Sequence, residues 1–245
     1  MTPNRNTTYK SKLCGLLTIT WLLSSGVGRA CAALPVLLQE TSTATTGRQY
    51  ELVKQLQNYS LLCWDMHTRA MLADILHKQP AHWREWVLLA GSLQMEQPLR
   101  EILAQCTPGG RRAESVQLAL VRCGDKRLLG QMIRAISEKP LNDEFVYRYA
   151  PLLVYVRQDT AVQYLLKLIS LHERSCSDAA MENTNKLSCA YRLMELLAPV
   201  IADFPIPWDP LTEELATPDY EQALAVVRQW ISTHRGQYRL RTDIF

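Results

Sequence analysis

The sequence predicts an all-α protein, a right-handed α-solenoid of stacked antiparallel helical hairpins, and three observations carry that expectation. Apolar residues step by three and four along most of the chain from residue 50 onward, the spacing that gathers them on one face of a helix. The same apolar pattern returns at intervals of about 30 residues, a period typical of helical-pair repeats. Strand punctuation is poor: there are 10 glycines in 245 residues, no Asn-Gly or Asp-Gly hairpin signal, and an abundance of helix-forming Leu, Ala, Gln, Glu and Arg.

The first 32 residues are of a different kind. Arg5, Lys10 and Lys12 precede the apolar stretch LCGLLTITWLLSSGVG at 13–28, and the small residues Ala30-Cys31-Ala32 follow it. Basic, apolar, then small-x-small is the order of a cleavable secretory signal. The stretch is shorter than the roughly 20 residues a membrane span needs. Gly28 and Arg29 stand where a lipoprotein signal wants an apolar residue, which disfavours lipid attachment at Cys31. The expected organisation is therefore a signal peptide over 1–32 that carries Cys14 and Cys31 away with it. After it come a flexible Thr-rich lead-in over 33–49, a helical-repeat domain over 50–235 and a C-terminal tail over 236–245. A leader retained as a membrane anchor is the alternative.

Within the domain the lattice can be written out. Trp86, Leu89, Ala90 and Leu93 lead to Leu99, Ile102, Leu103 and Cys106. Thirty residues on, Val116, Ala119, Leu120 and Cys123 lead to Leu129, Met132, Ile133 and Ile136. Thirty-three further on, Tyr149, Leu152, Leu153 and Val156 lead to Val162, Leu165, Leu166 and Ile169. Each half is a one-sided helix, and each pair is split by a polar break at 94–97, 124–127 or 157–160. Gly124 suits a left-handed helix end and Asp125 suits the cap of the next helix. A single hairpin cannot bury its apolar face, so successive hairpins are expected to stack, about four or five of them. Beyond residue 170 the regularity decays. The stretch 172–189 is a polar excursion, 187–201 is helical, and 202–219 holds four prolines and is expected to be mostly loop. Tyr220, Leu224, Val227 and Ile231 mark a last helix, with Asp219 or Thr217 as its cap and Gly236 at its end.

The stretch LALVRCGDKRLLGQMIRAI at 118–136 resembles a unit of the short bacterial HEAT-like repeat family, whose first helix ends in a Gly-Asp turn before a second apolar helix. Residues 50–77, ending HTRAMLADILH, resemble a degenerate earlier unit, with Arg69 where such repeats often carry an arginine. The likeness covers about half of the chain. Asp159 is offset by one residue from Asp125 in the apolar register, a departure from strict repetition. The resemblance implies stacked helical pairs and a bacterial source.

Charge excludes one class of partner. The chain carries a formal net charge of +3, but four of its 27 basic residues and none of its 24 acidic ones lie in 1–32. Without that leader the balance is −1, so the basic isoelectric point is no sign of nucleic-acid binding.

Candidate chemistry is sparse. Cys106 and Cys123 occupy lattice positions and read as small buried hydrophobes. Cys176 and Cys189 bracket the polar excursion, and export would permit a disulfide between them, although connectivity cannot be read from spacing. His67, His77, His82, His172 and His234 form no His-x-x-x-His pair, and there is no Cys-x-x-Cys, so no metal ligands are assigned. No nucleophile elbow, phosphate loop or dinucleotide fingerprint is present, so no catalytic or cofactor-binding residue is assigned and no cofactor is expected. Trp64, Trp83 and Trp86 read either as fillers of the first hairpin interface or as anchors for a partner. Arg111, Arg112, Arg235, Arg239 and Arg241 read as solvated charges.

The expectation that follows is an exported protein, periplasmic or extracellular, serving as a non-catalytic scaffold or as a binder of another protein or peptide. Nucleic acid is not an expected partner, and a membrane is one only if the leader stays. The alternative is a helical enzyme or small-ligand-binding protein with a pocket near 172–219.

Overall fold

In a computed structural model the described residues are 31–177, 186–234 and 236–242. They are mostly helical, with two short antiparallel strand pairs. Eleven α-helices run in order among the described residues: α1 (Leu34–Thr41), α2 (Thr46–Gln57), α3 (Met66–His77), α4 (Trp83–Ser92), α5 (Glu96–Gln105), α6 (Arg111–Arg122), α7 (Lys126–Ser137), α8 (Ala150–Tyr155), α9 (Asp159–Ile169), α10 (Ala190–Leu197) and α11 (Tyr220–His234). A π-helical turn, Phe145–Tyr149, leads directly into α8. The strands are β1 (Cys176–Ser177) with β2 (Lys186–Leu187), and β3 (Trp208–Asp209) with β4 (Glu214–Leu215).

All twenty-four lattice positions are buried or half-buried, because each helix turns its three-and-four-spaced face towards its neighbours. The main helix contacts join elements one or two places apart in the chain: α1 with α3, α2 with α4, α4 with α6, α8 with α10, and α9 with α11. One core runs the length of these contacts.

The polar breaks have a common backbone solution. Gln94, Gly124 and Arg157 all have positive φ (57°, 102° and 51°), at the 30 and 33 spacing of the apolar lattice. After α4, the Gln94 and Met95 N–H groups donate back to Gly91 and Ala90; after α6, those of Gly124 and Asp125 donate to Val121 and Leu120. This is the two-bond closure that satisfies orphan carbonyls at a helix end. Asp125 then caps α7 by accepting the Leu128 N–H at 3.0 Å. That bond holds its carboxyl below the usual carboxylate range, with Arg100 adding to the effect.

The Thr-rich segment 33–49 is a correction to the sequence reading. It is no flexible lead-in: Leu34 and Leu38 are core residues on α1, and Thr45 caps α2 by accepting the Arg48 N–H. Its threonines end one helix and start the next, so their number reflects a tight helix-helix turn. Arg48 bridges that turn to Glu40 at 2.7 Å, and Gln49 donates to the Thr41 and Ala44 carbonyls.

Cys31 is a second correction. It is disulfide-bonded to Cys63 and so belongs with the folded part rather than with the leader. Cys176 is bonded to Cys189, and Cys106 and Cys123 are free thiols, both half-buried. By chain-entropy arithmetic the two closures stabilise by about 4 and about 3 kcal/mol. The tail is also tied down as far as it is described, because Ala202 N–H donates to Arg239 and Arg241 N–H to Val200, making an antiparallel bridge. Residues 1–30 of the expected leader, Cys14, Arg235 and 243–245 lie outside the described residues.

Close approach of α4 and α6 depends on one glycine. A Cβ at Gly91 would stand 2.9 Å from Ala119 Cα and collide with the Tyr155 hydroxyl. Gly91→Ala is therefore expected to lose about 1–3 kcal/mol by overpacking. Gly130→Ala, at an exposed site of α7 where a Cβ meets nothing, should gain about 0.5–1 kcal/mol from lost unfolded-chain entropy. Denaturant unfolding of the two variants would check the opposite signs.

Candidate functional site

Two neighbouring features around α6 and α8 hold the chemistry that the fold concentrates. The first is a polar knot. Arg122, at the end of α6, is 3% exposed and donates to the Tyr155 carbonyl at 2.7 Å, its guanidinium lying 5.7 Å from the Tyr155 ring centre. The Tyr155 hydroxyl donates to Leu88 O at 2.7 Å, while Gln94 Nε2 donates to Arg122 O at 3.0 Å. One arginine and one tyrosine therefore join α4, α6 and α8. Burial pulls the guanidinium down to about 10, which leaves it charged at neutral pH, and pushes the Tyr155 phenol up. Burial also pushes the Cys123 thiol up to about 11, so it stays protonated and unreactive at neutral pH.

Arginines recur at carbonyl ends. Arg69 on α3 donates to Trp64 O at 2.9 Å and to Leu93 O at the end of α4. Arg228 on α11 donates to Ile169 O at 3.0 Å and to Leu171 O, just past α9. Helix C-termini carry partial negative charge and unsatisfied carbonyls, so a guanidinium with five donors serves both needs. Arg69, Arg122 and Arg157 line a cavity of about 430 Å³, together with Gln94, Cys123 and Thr242.

The second feature is an apolar groove of about 500 Å³ between α6, α7 and the π turn. A change of spacing coincides with it. Within each lattice unit the two helices repeat 13 residues apart, but the link from the second unit to the third is three residues longer than the link before it. Pro151, in the first turn of α8, has no N–H to give Tyr147 O, and the chain widens into the π turn just before it. Leu118, Val121, Met132, Ile136 and Leu152 line the groove together with Arg84, Glu114 and Arg148. Tyr147, on the π turn, is exposed.

The tryptophans separate. Trp64 and Trp86 are buried core residues, a correction to the partner-anchor reading for these two, since a partner could reach neither without unfolding the first units. Trp86 Nε1 donates to Ala81 O at 3.1 Å. Trp83 is half-buried, with the Arg112 guanidinium 5.5 Å from its ring centre, at the wall of a cavity of about 280 Å³ that also touches His77, Cys106 and Arg111. Arg112 is thus engaged with Trp83 and Gln79 rather than simply solvated.

Around 172–219 lies a further cavity of about 280 Å³, lined by His172, Arg174, Ser188, Tyr191, Glu221 and Arg228. His172 Nδ1 stands 3.2 Å from the Arg228 guanidinium. Among the described residues no three of His, Cys, Asp and Glu gather closely enough to hold a metal ion.

Set against protein-family models, curated proteins and solved structures, the chain matches none of them.

The knot yields a graded expectation. Arg122→Met keeps most of the volume but leaves the Tyr155 carbonyl without this donor, a loss of about 2 kcal/mol. Tyr155→Phe removes the hydroxyl that donates to Leu88 O and should lose about 1 kcal/mol. Denaturant midpoints at pH 7 would read both, and equal losses would mean that the charge is not what holds the three helices.

Proposed function

We propose that this protein is an exported, non-catalytic scaffold of HEAT-like helical hairpins, arranged as a right-handed solenoid, that binds another protein or peptide. The observation carrying this reading is the apolar groove at the π turn. Its lining of Leu118, Val121, Met132, Ile136 and Leu152, with Arg84, Glu114 and Arg148 beside them, suits a peptide-binding cleft. Contacts confined to elements near in sequence support the stacked arrangement. Two disulfides suit an oxidising compartment, and together with the basic, apolar, small-residue order of the first 32 residues they support export.

Met132 is half-buried in the groove, so Met132→Glu places a charge where an apolar partner side chain would sit. A protein retained by the parent bait from the exported fraction is expected to be lost by Met132→Glu, with the far-ultraviolet spectrum unchanged. If every captured protein binds both baits equally, the groove is not the site.

The cavity around His172 favours a second reading, a small polar ligand held by Arg174, Arg228 and Tyr191 near the irregular segments, with or without chemistry upon it. A retained leader would instead make the scaffold membrane-held; no helix among the described residues is long and apolar enough to cross a membrane. N-terminal sequencing of the exported protein separates these localisations. Processing is expected to leave a chain that starts at or before Cys31, preserving its bond to Cys63. A start beyond Cys31, or at Met1, would count against that proposal.

A further inference from the structure

The hairpin of β3 and β4 is anchored at its base and bare at its tip. Trp208 pairs with Leu215 and Asp209 with Glu214, Leu215 is buried, and β4 touches α10. The turn is ordered by the Glu213 N–H, which donates to Asp209 O at 2.9 Å, and by the Leu211 N–H, which donates to the Asp209 carboxylate at 2.8 Å. At the tip Leu211 is 93% exposed, more than any other large apolar side chain among the described residues. Asp209, Glu213 and Glu214 flank it, and the stretch 208–215 holds no basic residue. None of these three carboxylates has an ion-pair partner among the described residues. A single exposed leucine is ordinary. One held on an ordered turn among three carboxylates specifies its complement, an apolar hollow flanked by cations.

The cavity of about 280 Å³ beside Trp83 is such a hollow. Leu76, Trp83 and Ile102 line it with Arg111 and Arg112, and its wall contains no Asp or Glu. The groove at the π turn includes Glu114 and the cavity at His172 includes Glu221, so both match an acidic tip less well. Arg112 is engaged with Trp83 and Gln79, whereas Arg111, exposed at the first position of α6, has no ion-pair partner among the described residues.

Since Leu211 stands in water in its own chain, the tip is not seated in the cavity of the same molecule. We propose that the Leu211 tip of one copy docks in the Trp83–Arg111 cavity of a second copy. Leu211 then meets Leu76, Trp83 and Ile102, and the carboxylates of the hairpin face Arg111 and Arg112. A hairpin tip in a cavity is a small interface, so the association is weak. The proposal is independent of what occupies the groove at the π turn.

Sedimentation equilibrium at rising concentration, on purified protein with both disulfides formed, tests it. Leu211→Asp removes the apolar tip, and Arg111→Glu puts a carboxylate where those of the hairpin approach. Both positions are exposed, and a glutamate in a first helical turn suits the helix dipole, so thermal midpoints are expected to stay unchanged. The parent should self-associate, and each variant should lose about tenfold or more in association constant. The two variants mixed in equal amounts should associate again as one-to-one pairs, because one brings an intact cavity and the other an intact tip. A parent that stays monomeric into the millimolar range overturns the proposal and leaves the cavity to some other acidic segment. Undiminished association in either variant also overturns it, as does a mixture that associates no better than its components. None of these results bears on capture through the groove, which is read by Met132→Glu.

Discussion

Everything in the middle of this molecule depends on how closely α4 and α6 approach, and a buried arginine and tyrosine police that approach. Gly91 and Ala119 let the two backbones meet, the Tyr155 hydroxyl fills the remaining space, and its bond to Leu88 returns the third lattice unit to the first. Arg122 reaches from the second unit to the third. Hydrophobic burial alone is indifferent to direction, since any apolar face satisfies another. These few directed bonds set the register in which the faces meet.

The groove lies next to the same contacts. Tyr155 and Arg122 hold the end of α8 firmly, while the beginning of α8 is set off by a longer link and by the π turn before Pro151. The groove lies beside this segment and includes Tyr149 and Leu152 in its lining. Exposed Tyr147 and half-buried Tyr149 lie on the π turn, so the surface there is aromatic as well as aliphatic.

Much of the helical pattern was legible beforehand, because a three-and-four spacing maps directly onto burial: no lattice position is exposed. The Gly124-Asp125 break was legible for the same local reason. It rests on a left-handed glycine and a capping carboxylate, both properties of single residues. What escaped were relations between units. Arg122 looks like any arginine at a helix end, and nothing nearby in sequence says that Tyr155 will receive it. Cys31 follows an export-like pattern, so its partner Cys63 lay hidden behind a plausible cleavage site. The threonines of 41–46 read as a polar linker because capping residues and linker residues share a composition. The groove had a faint signal, in the interval of 33 where 30 came before and in a proline within the lattice, but a change of interval does not say where the extra residues open space.

The two disulfides flank the helical array on either side of its lattice, one closing a loop between Cys31 and Cys63, the other between Cys176 and Cys189. Under mechanical tension the loops they close, spanning 32 and 13 residues, cannot pay out as extended chain. That withholds roughly 150 Å of contour from a stretched molecule. The array between them has no covalent staple among its described residues and would yield first, so an oxidised chain and a reduced one would differ in length under load even where their unloaded shapes agree.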